Sequence, residues 1–213
     1  MKRCLTMCAL CALCVLMACS QTAGQPLATV AAAPDPKNLA TATFAGGCFW
    51  SMQRMMDEVP GVITTTVGYT GGHVPNPTYE QVSAETTGHA ESVQVVFDTA
   101  QISYTKLLDA YWHDIDPVAV DQQFCDHGSS YRTAIFYHDA EQQRLAEASK
   151  QALAASGRFD QPIVTEIVAA SEFYPAEEYH QKFYLKNPDH YAAYRAACGR
   201  DERLAEIWGA SSQ

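Results

Sequence analysis

The sequence predicts an α+β or α/β domain with a mixed sheet. Three observations carry this. Period-two alternation marks short strands, as in His89–Phe97, where Val93, Val95 and Phe97 share one face. Helical spacing marks longer segments, as in Ser103–Ile115, where Tyr104, Leu107, Leu108, Tyr111 and Trp112 share one face and Ser103 caps the start. The two kinds of segment interleave in βαββ and αβ order.

In chain order, Ala40–Ala45 reads as a short strand ending at Gly46-Gly47. Cys48–Glu58 reads as a helix stopped by Pro60-Gly61. Val62–Tyr69 is β-branched and reads as a strand ending in Thr70-Gly71-Gly72. Residues 73–88 form a turn-rich loop, then come the strand His89–Phe97 and the helix Ser103–Ile115. Tyr131–Tyr137 is a strand, Glu141–Ser156 an amphipathic helix stopped by Gly157, and Ile163–Ala169 a strand. Pro175–Lys186 is predicted helical, with proline at its start. The tail, Tyr191–Trp208, is polar-helical with an interruption at Gly199.

The 213 residues are 47% hydrophobic and 18% charged, enough for one domain with a full core. This excludes a mostly disordered chain, a collagen-like chain and a multi-pass membrane protein. A net charge of −10 argues against nucleic acid or anionic membrane as a general partner.

Five of the eight cysteines fall within the first 19 residues. Lys2 and Arg3 precede an apolar run from Cys4 to Ala18, the pattern of a secretory signal. The spacing Cys8-x-x-Cys11-x-x-Cys14 imitates a cluster-binding motif, but a targeting segment is set aside before motifs are read. Leu16-Met17-Ala18-Cys19-Ser20 resembles a bacterial lipobox. The resemblance implies that Cys19 is acylated, and Ser20 is compatible with outer-membrane sorting. Plain secretion with nearby cleavage is the alternative. The expected organisation is a signal peptide over 1–18, an Ala/Pro-rich tether over 19–38 and a domain over 39–213, its folded part ending near Gly209. The mature chain is therefore expected in the cell envelope or periplasm.

Cys48, Cys125 and Cys198 remain. An odd set in an exported protein suggests a free reactive thiol or an exchanging pair. Gly46-Gly47-Cys48 sits where a strand gives way to a helix, and glycines permit a sharp turn and close approach of a ligand. Cys48 at the first helical position would feel unpaired N–H groups and the dipole, which lower a thiol pKa. Phe49 and Trp50 beside it can form an apolar slot for a small alkyl group. Their bland reading is core packing, as a lone cysteine is often a small buried hydrophobe.

Glu91 and His89 fall on the same strand face as Val93. A carboxyl group on an apolar face is costly to ionise, so Glu91 is expected to have a raised pKa and to serve as a proton donor. Tyr79, Asp126, His127 and Tyr131 are further polar groups that could converge. Two other classes stay open. One is a hydrolase or acyltransferase pairing Cys48 with His89 or His73. The other is a non-catalytic lipoprotein that binds an envelope partner through its acidic surface.

Five blocks together resemble one family, the A-type peptide methionine sulfoxide reductases. They are Gly46-Gly47-Cys48-Phe49-Trp50; Val67–Gly72 with Asn76-Pro77-Thr78-Tyr79; Gly88-His89-Ala90-Glu91-Ser92-Val93; Asp126–Arg132; and Phe173–Glu177 with Tyr179-His180-Gln181. The resemblance implies a two-layer, ferredoxin-like sandwich with a mixed sheet and a partly irregular helical C-terminal tail. It also implies a reaction. Cys48 attacks the sulfur of a methionine S-sulfoxide, and protonated Glu91 donates to its oxygen. Tyr79 and Tyr131 hydrogen-bond that oxygen, Phe49 and Trp50 hold the methyl group, and Asp126 and His127 lie on the substrate side. Cys48 becomes a sulfenic acid, a second cysteine forms a disulfide, and a thioredoxin-type protein or a dithiol reopens it. No metal or organic cofactor is implied. Oxidised proteins and free methionine sulfoxide are the expected substrates, and a monomer is the expected state.

Three positions depart from the pattern. Ser51 stands where glycine is common, and Ser130 where glutamine is usual. The tail is not the glycine-rich segment that carries resolving cysteines in many members. Cys198 is the favoured resolving residue, on the expectation that a mobile tail beside Gly199 swings to Cys48. Cys125 is its rival, and direct reduction of the sulfenic acid by an external thiol is the third reading.

Overall fold

The computed structural model describes residues 33–209, and the compact unit begins at Pro34. The leader and Cys19 lie outside the described residues. In chain order come β1 (Leu39–Gly46), α1 (Phe49–Asp57), β2 (Val62–Thr70), α2 (Tyr79–Ser83), β3 (Ala90–Asp98) and α3 (Tyr104–His113). A short hairpin, β4 (Gln122–Gln123) and β5 (Asp126–His127), precedes β6 (Thr133–Tyr137), α4 (Ala140–Ala155), β7 (Glu166–Ala169) and β8 (Tyr174–Pro175). The chain ends in α5 (Phe183–Lys186), α6 (Pro188–Ala197) and α7 (Arg200–Trp208).

The main sheet has the order β7-β6-β1-β3-β2-β8. Its four central strands pair antiparallel, whereas β7 runs parallel to β6, so the sheet is mixed. The central order β6-β1-β3-β2, with α1 and α3 as the two crossovers, is the ferredoxin-like arrangement. Phe44, Val93 and Val95 from the strands pack with Met52 and Met56 of α1 and Leu107 of α3 in one core. Side chains can do this because strand residues two apart share a face. Helix starts are capped as their sequences suggest: Ser103 Oγ accepts from the Lys106 amide at 3.3 Å, and Asp139 Oδ1 from the Gln142 amide at 2.8 Å.

Three expectations need correction. The loop 73–88 contains α2, closed by a reciprocal Thr78–Gln81 capping box. The predicted helix Pro175–Lys186 is reduced to α5. Gln181 turns back to β2, its Nε2 donating to Val67 O at 2.8 Å and its Oε1 accepting from Val67 N at 3.0 Å. Lys182 is left-handed at φ 53°, which no α-helix tolerates. The tail, finally, is not a swinging segment. It forms α6 and α7, broken by left-handed Gly199 at φ 67°, and it is pinned by Arg200, which is 2% exposed. The Arg200 guanidinium donates to Asp114 Oδ2 at 2.7 Å and to Asp114 O at 2.6 Å. Among the described residues, no helix is long and apolar enough to cross a membrane.

Candidate active site

β1 delivers the Gly46-Gly47 corner to the start of α1. Gly47 has φ +82°, and a Cβ there would meet Gln123 Cβ at 2.5 Å, so only glycine lets the hairpin lie this close. Gln123 is fully buried and bonds both the N–H and the C=O of Asp116, which fixes the hairpin carrying Cys125 and Asp126.

Cys48 is the N-cap of α1 rather than its first helical residue, and it is 6% exposed. Its thiol is pushed well above the ordinary range, first by burial and then by the carboxyl groups of Glu91 and Asp126. Hydrogen bonds from the Tyr194 hydroxyl and the Trp50 amide act in the opposite sense and are outweighed. The expected lowering by the helix start is thus not seen, because desolvation exceeds it.

The Phe49 amide serves Glu91 instead, donating to Glu91 Oε2 at 3.0 Å. Glu91 is 3% exposed and lies opposite Tyr69 in the β2–β3 ladder. Burial raises its pKa to about 8, against the Phe49 bond and with help from Asp126 and Glu85. At neutral pH it is mostly a neutral acid, as its strand position suggests.

Tyr79 opens α2, and its amide is held by Glu177 Oε1 at 2.9 Å. Its phenol is pushed up to about 12 by burial, then by Glu91 and Cys48. Tyr131 closes a single turn at residues 129–131, and its phenol is also pushed up by burial, then by Glu91 and Tyr79. Both phenols therefore stay protonated near Glu91. Trp50 stacks on Phe183 with ring centres 3.8 Å apart, and Trp50 Nε1 donates to His180 Nδ1 at 3.0 Å. Phe49 is buried against Tyr69 and His180. Burial lowers the His180 pKa, and the bond to Nδ1 assigns its proton to Nε2, which is buried without a protein partner.

Cys125 and Cys198 form a disulfide, leaving Cys48 as the free thiol among the described residues. The rivals of the sequence reading are thus partners. Tyr194 ties this pair to Cys48. Its hydroxyl donates to Asp126 Oδ2, lies 3.8 Å from Cys198 Sγ and is among the groups that act on the Cys48 thiol. His127 is exposed, its Nδ1 against Gln122 Oε1. His89 is not available as a base. Its Nδ1 accepts from the Gly72 amide and its Nε2 donates to Val74 O. Both ring nitrogens of His89 are thus committed to the backbone, which disfavours it as the base of a Cys–His hydrolase.

Tyr194, His180 and Glu85 were not assigned from the sequence. Tyr194 precedes Cys198 by four residues, which on a helix puts both on one face. His180 lies in the Tyr179-His180-Gln181 block but at no recognisable spacing from Trp50. Glu85 is left-handed at φ 59°, and its carboxylate accepts from Ser129 Oγ and Ser130 Oγ at 2.6 Å each and from the Ser130 amide at 3.0 Å. The departure at Ser130 therefore has a partner. So does Ser51, whose Oγ accepts from Tyr191 OH at 3.3 Å.

The family model for peptide methionine sulfoxide reductase matches residues 40–212. The chain belongs to this family. The peptide methionine sulfoxide reductase MsrA of Bacillus subtilis is 57% identical over 169 residues, covering 79% of this chain and 96% of that protein. The MsrA of Listeria monocytogenes is 53% identical over 172 residues, 81% and 97% of the two chains. Among solved structures, reduced Mxr1 of Saccharomyces cerevisiae superimposes with a TM-score of 0.67 at 30% identity, covering 74% of this chain and 90% of that one. The methionine sulfoxide reductase A of Corynebacterium diphtheriae gives 0.65 at 34% identity over 72% and 77%. The matched span includes every cysteine, carboxylate and tyrosine of the peptide methionine sulfoxide reductase corner described above.

Proposed function

We propose that this chain reduces methionine S-sulfoxide, free and in proteins, to methionine. The observation that carries the reading is a neutral, buried Glu91 beside a buried thiol, walled by Trp50 and by two protonated tyrosines. A sulfoxide oxygen leaves sulfur poorly until it is protonated, so an acid is needed beside the nucleophile. Glu91 protonates the oxygen, polarised by the Tyr79 and Tyr131 hydroxyls, as Cys48 attacks sulfur. Ionised Glu91 is then the base that takes the Cys48 proton, so the thiol need not ionise before it attacks. In the adduct the hydroxyl passes from the substrate sulfur to the Cys48 sulfur as the sulfur–sulfur bond breaks, so the sulfide leaves and Cys48 becomes a sulfenic acid. Trp50, oriented by His180 and Phe183, holds the methyl group, and Asp126 contacts the substrate side.

Resolution uses both remaining cysteines. The Cys198 thiol condenses with the sulfenic acid, releasing water and forming a Cys48–Cys198 disulfide. The Cys125 thiol then displaces Cys48, giving the Cys125–Cys198 disulfide and a free Cys48. A thioredoxin-type dithiol reduces that disulfide, becoming a disulfide itself. Cys125 is exposed and Cys198 is 9% exposed, so attack falls on Cys125.

The deciding assay supplies the separate S- and R-epimers of dabsyl-methionine sulfoxide with dithiothreitol to residues 34–213 and to its Cys48→Ser variant. Reduction of the S-epimer alone, lost in the variant, supports the reading. A folded domain that reduces neither epimer overturns it.

Lys2, Arg3, the apolar run and Cys19-Ser20 support an exported lipoprotein. In this reading residues 1–18 are removed, Cys19 is acylated, residues 19–38 tether the domain, and the lipid holds a monomer at the outer membrane, where it repairs envelope proteins. Incorporation of labelled palmitate that disappears in Cys19→Ser tests the anchor.

A further inference from the structure

We propose that Cys125, Cys198 and Asp126, once the disulfide is reduced, form a binding site for a zinc ion. Asp126 faces the pair, with one carboxylate oxygen toward each sulfur. Its Oδ1 is 3.8 Å from Cys125 Sγ and its Oδ2 is 3.9 Å from Cys198 Sγ. One donor atom from each of the three residues falls within 4.8 Å of the others. Tetrahedral zinc, with bonds of about 2.3 Å to sulfur and about 2.0 Å to oxygen, sets sulfur–oxygen ligand separations near ~3.5 Å. The Cys125 Sγ–Asp126 Oδ1 spacing is a few tenths of an ångström from that value. Cys198 Sγ must part from Cys125 Sγ, to roughly 3.7 Å at the same bond lengths, and turn toward Oδ1; reduction of their bond permits both.

The surroundings suit a metal as well. The Cys125 amide donates to Cys198 Sγ at 3.2 Å, a contact that stabilises a thiolate. The Tyr194 hydroxyl donates to Asp126 Oδ2, which leaves Oδ1 as the ligand and orients the carboxylate. Cys198 is buried while Cys125 is exposed, so the ion has a closed side and an entry side, with water as fourth ligand. Binding converts two thiols to thiolates and releases two protons. Cys48 is not a ligand. The site itself does not depend on the proposed reaction. Its consequence does: zinc occupies the thiols that resolve the sulfenic acid, so a reduced enzyme is held in reserve until the metal is withdrawn.

The test uses residues 34–213, the compact unit, which holds the whole span matched to relatives and lacks the leader cysteines. The protein is reduced without oxygen and titrated with Co²⁺, then with Zn²⁺. One cobalt per chain is expected, with a thiolate-to-cobalt charge-transfer band and intense four-coordinate visible bands, both abolished by zinc. The same protein carrying the disulfide gives no bands, a control that involves no variant. Cys125→Ser and Cys198→Ser lose the charge-transfer signature, Asp126→Asn weakens binding at least about tenfold, and Cys48→Ser keeps it. Absence of the band in reduced wild type, or its loss in Cys48→Ser with retention in Cys125→Ser, overturns the proposal. All these readouts are made without sulfoxide, so they stand apart from the activity. With substrate, zinc is expected to stop thioredoxin-driven cycling and to leave one equivalent of methionine per chain.

Discussion

The Phe49 amide donates to Glu91 Oε2 at 3.0 Å, so the N-terminal end of α1 supports the acid and not the nucleophile. An N–H bond to a carboxyl group favours its ionised form, yet the pKa stands at about 8 because burial is the larger effect. The bond holds the carboxyl in place beside Cys48 and moderates its pKa into the range of a working acid.

Glu91→Gln removes the transferable proton while keeping the shape. The first turnover is expected to slow by about 10²–10⁴-fold. In the wild type its rate falls as pH rises through about 8, where Glu91 ionises, and stopped-flow pH profiles of the two proteins should differ in that limb. Stability follows the same proton. The folded pKa is above the ordinary carboxyl value, so the folded chain binds more protons than the unfolded one between the two. Stability therefore falls as pH rises from about 4.5 to about 8, by an amount on the order of 3–5 kcal/mol, and urea titrations of Glu91→Gln should lack this slope.

Cys198→Ser and Cys125→Ser are expected to release one equivalent of methionine and then stall with a thioredoxin-type reductant. They should stall differently. Cys125→Ser collects the Cys48–Cys198 disulfide, whereas Cys198→Ser holds a sulfenic acid trappable by dimedone. Mass spectrometry separates the two, and undiminished cycling in Cys198→Ser would remove it from the mechanism.

Glu85 joins the loop before β3 to the turn that carries Tyr131. Burial pushes its carboxyl up, but the bonds from Ser129 and Ser130 prevail and hold it below the ordinary value. Its stabilisation is present at neutral pH and is lost as pH falls through that lowered value. Glu85→Gln should cost about 1–2 kcal/mol, discounted for solvent exposure, and raise KM more than it lowers kcat. Glu85→Gly relieves the left-handed backbone and should lose less stability than Glu85→Ala, as thermal melts would show.

Arg200 is the buried pin of the tail. Arg200→Met leaves Asp114 without its closest partner and is expected to cost about 3–5 kcal/mol. Protease cleavage after α6 should rise with it; an unchanged pattern would mean that packing of α7 alone holds the tail.

His180 positions Trp50 through a single bond. His180→Ala strands the indole N–H, so KM for dabsyl-methionine sulfoxide should rise several-fold with little change in kcat, and His180→Asn should recover part of the loss.

The sequence by itself determined the order of the main strands and helices from β1 to β7, the glycine corner at Cys48, the core face of β3 and the placing of an acid on it. These are local matters: backbone freedom, side-chain alternation and helical spacing are set within a few residues. The five motif blocks carried the family in the same way. Only the tertiary structure decided that Cys125 and Cys198 are a pair, since they are 73 residues apart and their distance depends on how the hairpin and α6 pack. It also decided the state of Cys48. The helix start that should lower its pKa is a local feature, but burial and two carboxyl groups from distant elements outweigh it. The tail illustrates the same limit, because its polar sequence reads as mobile until Arg200 meets Asp114 across 86 residues.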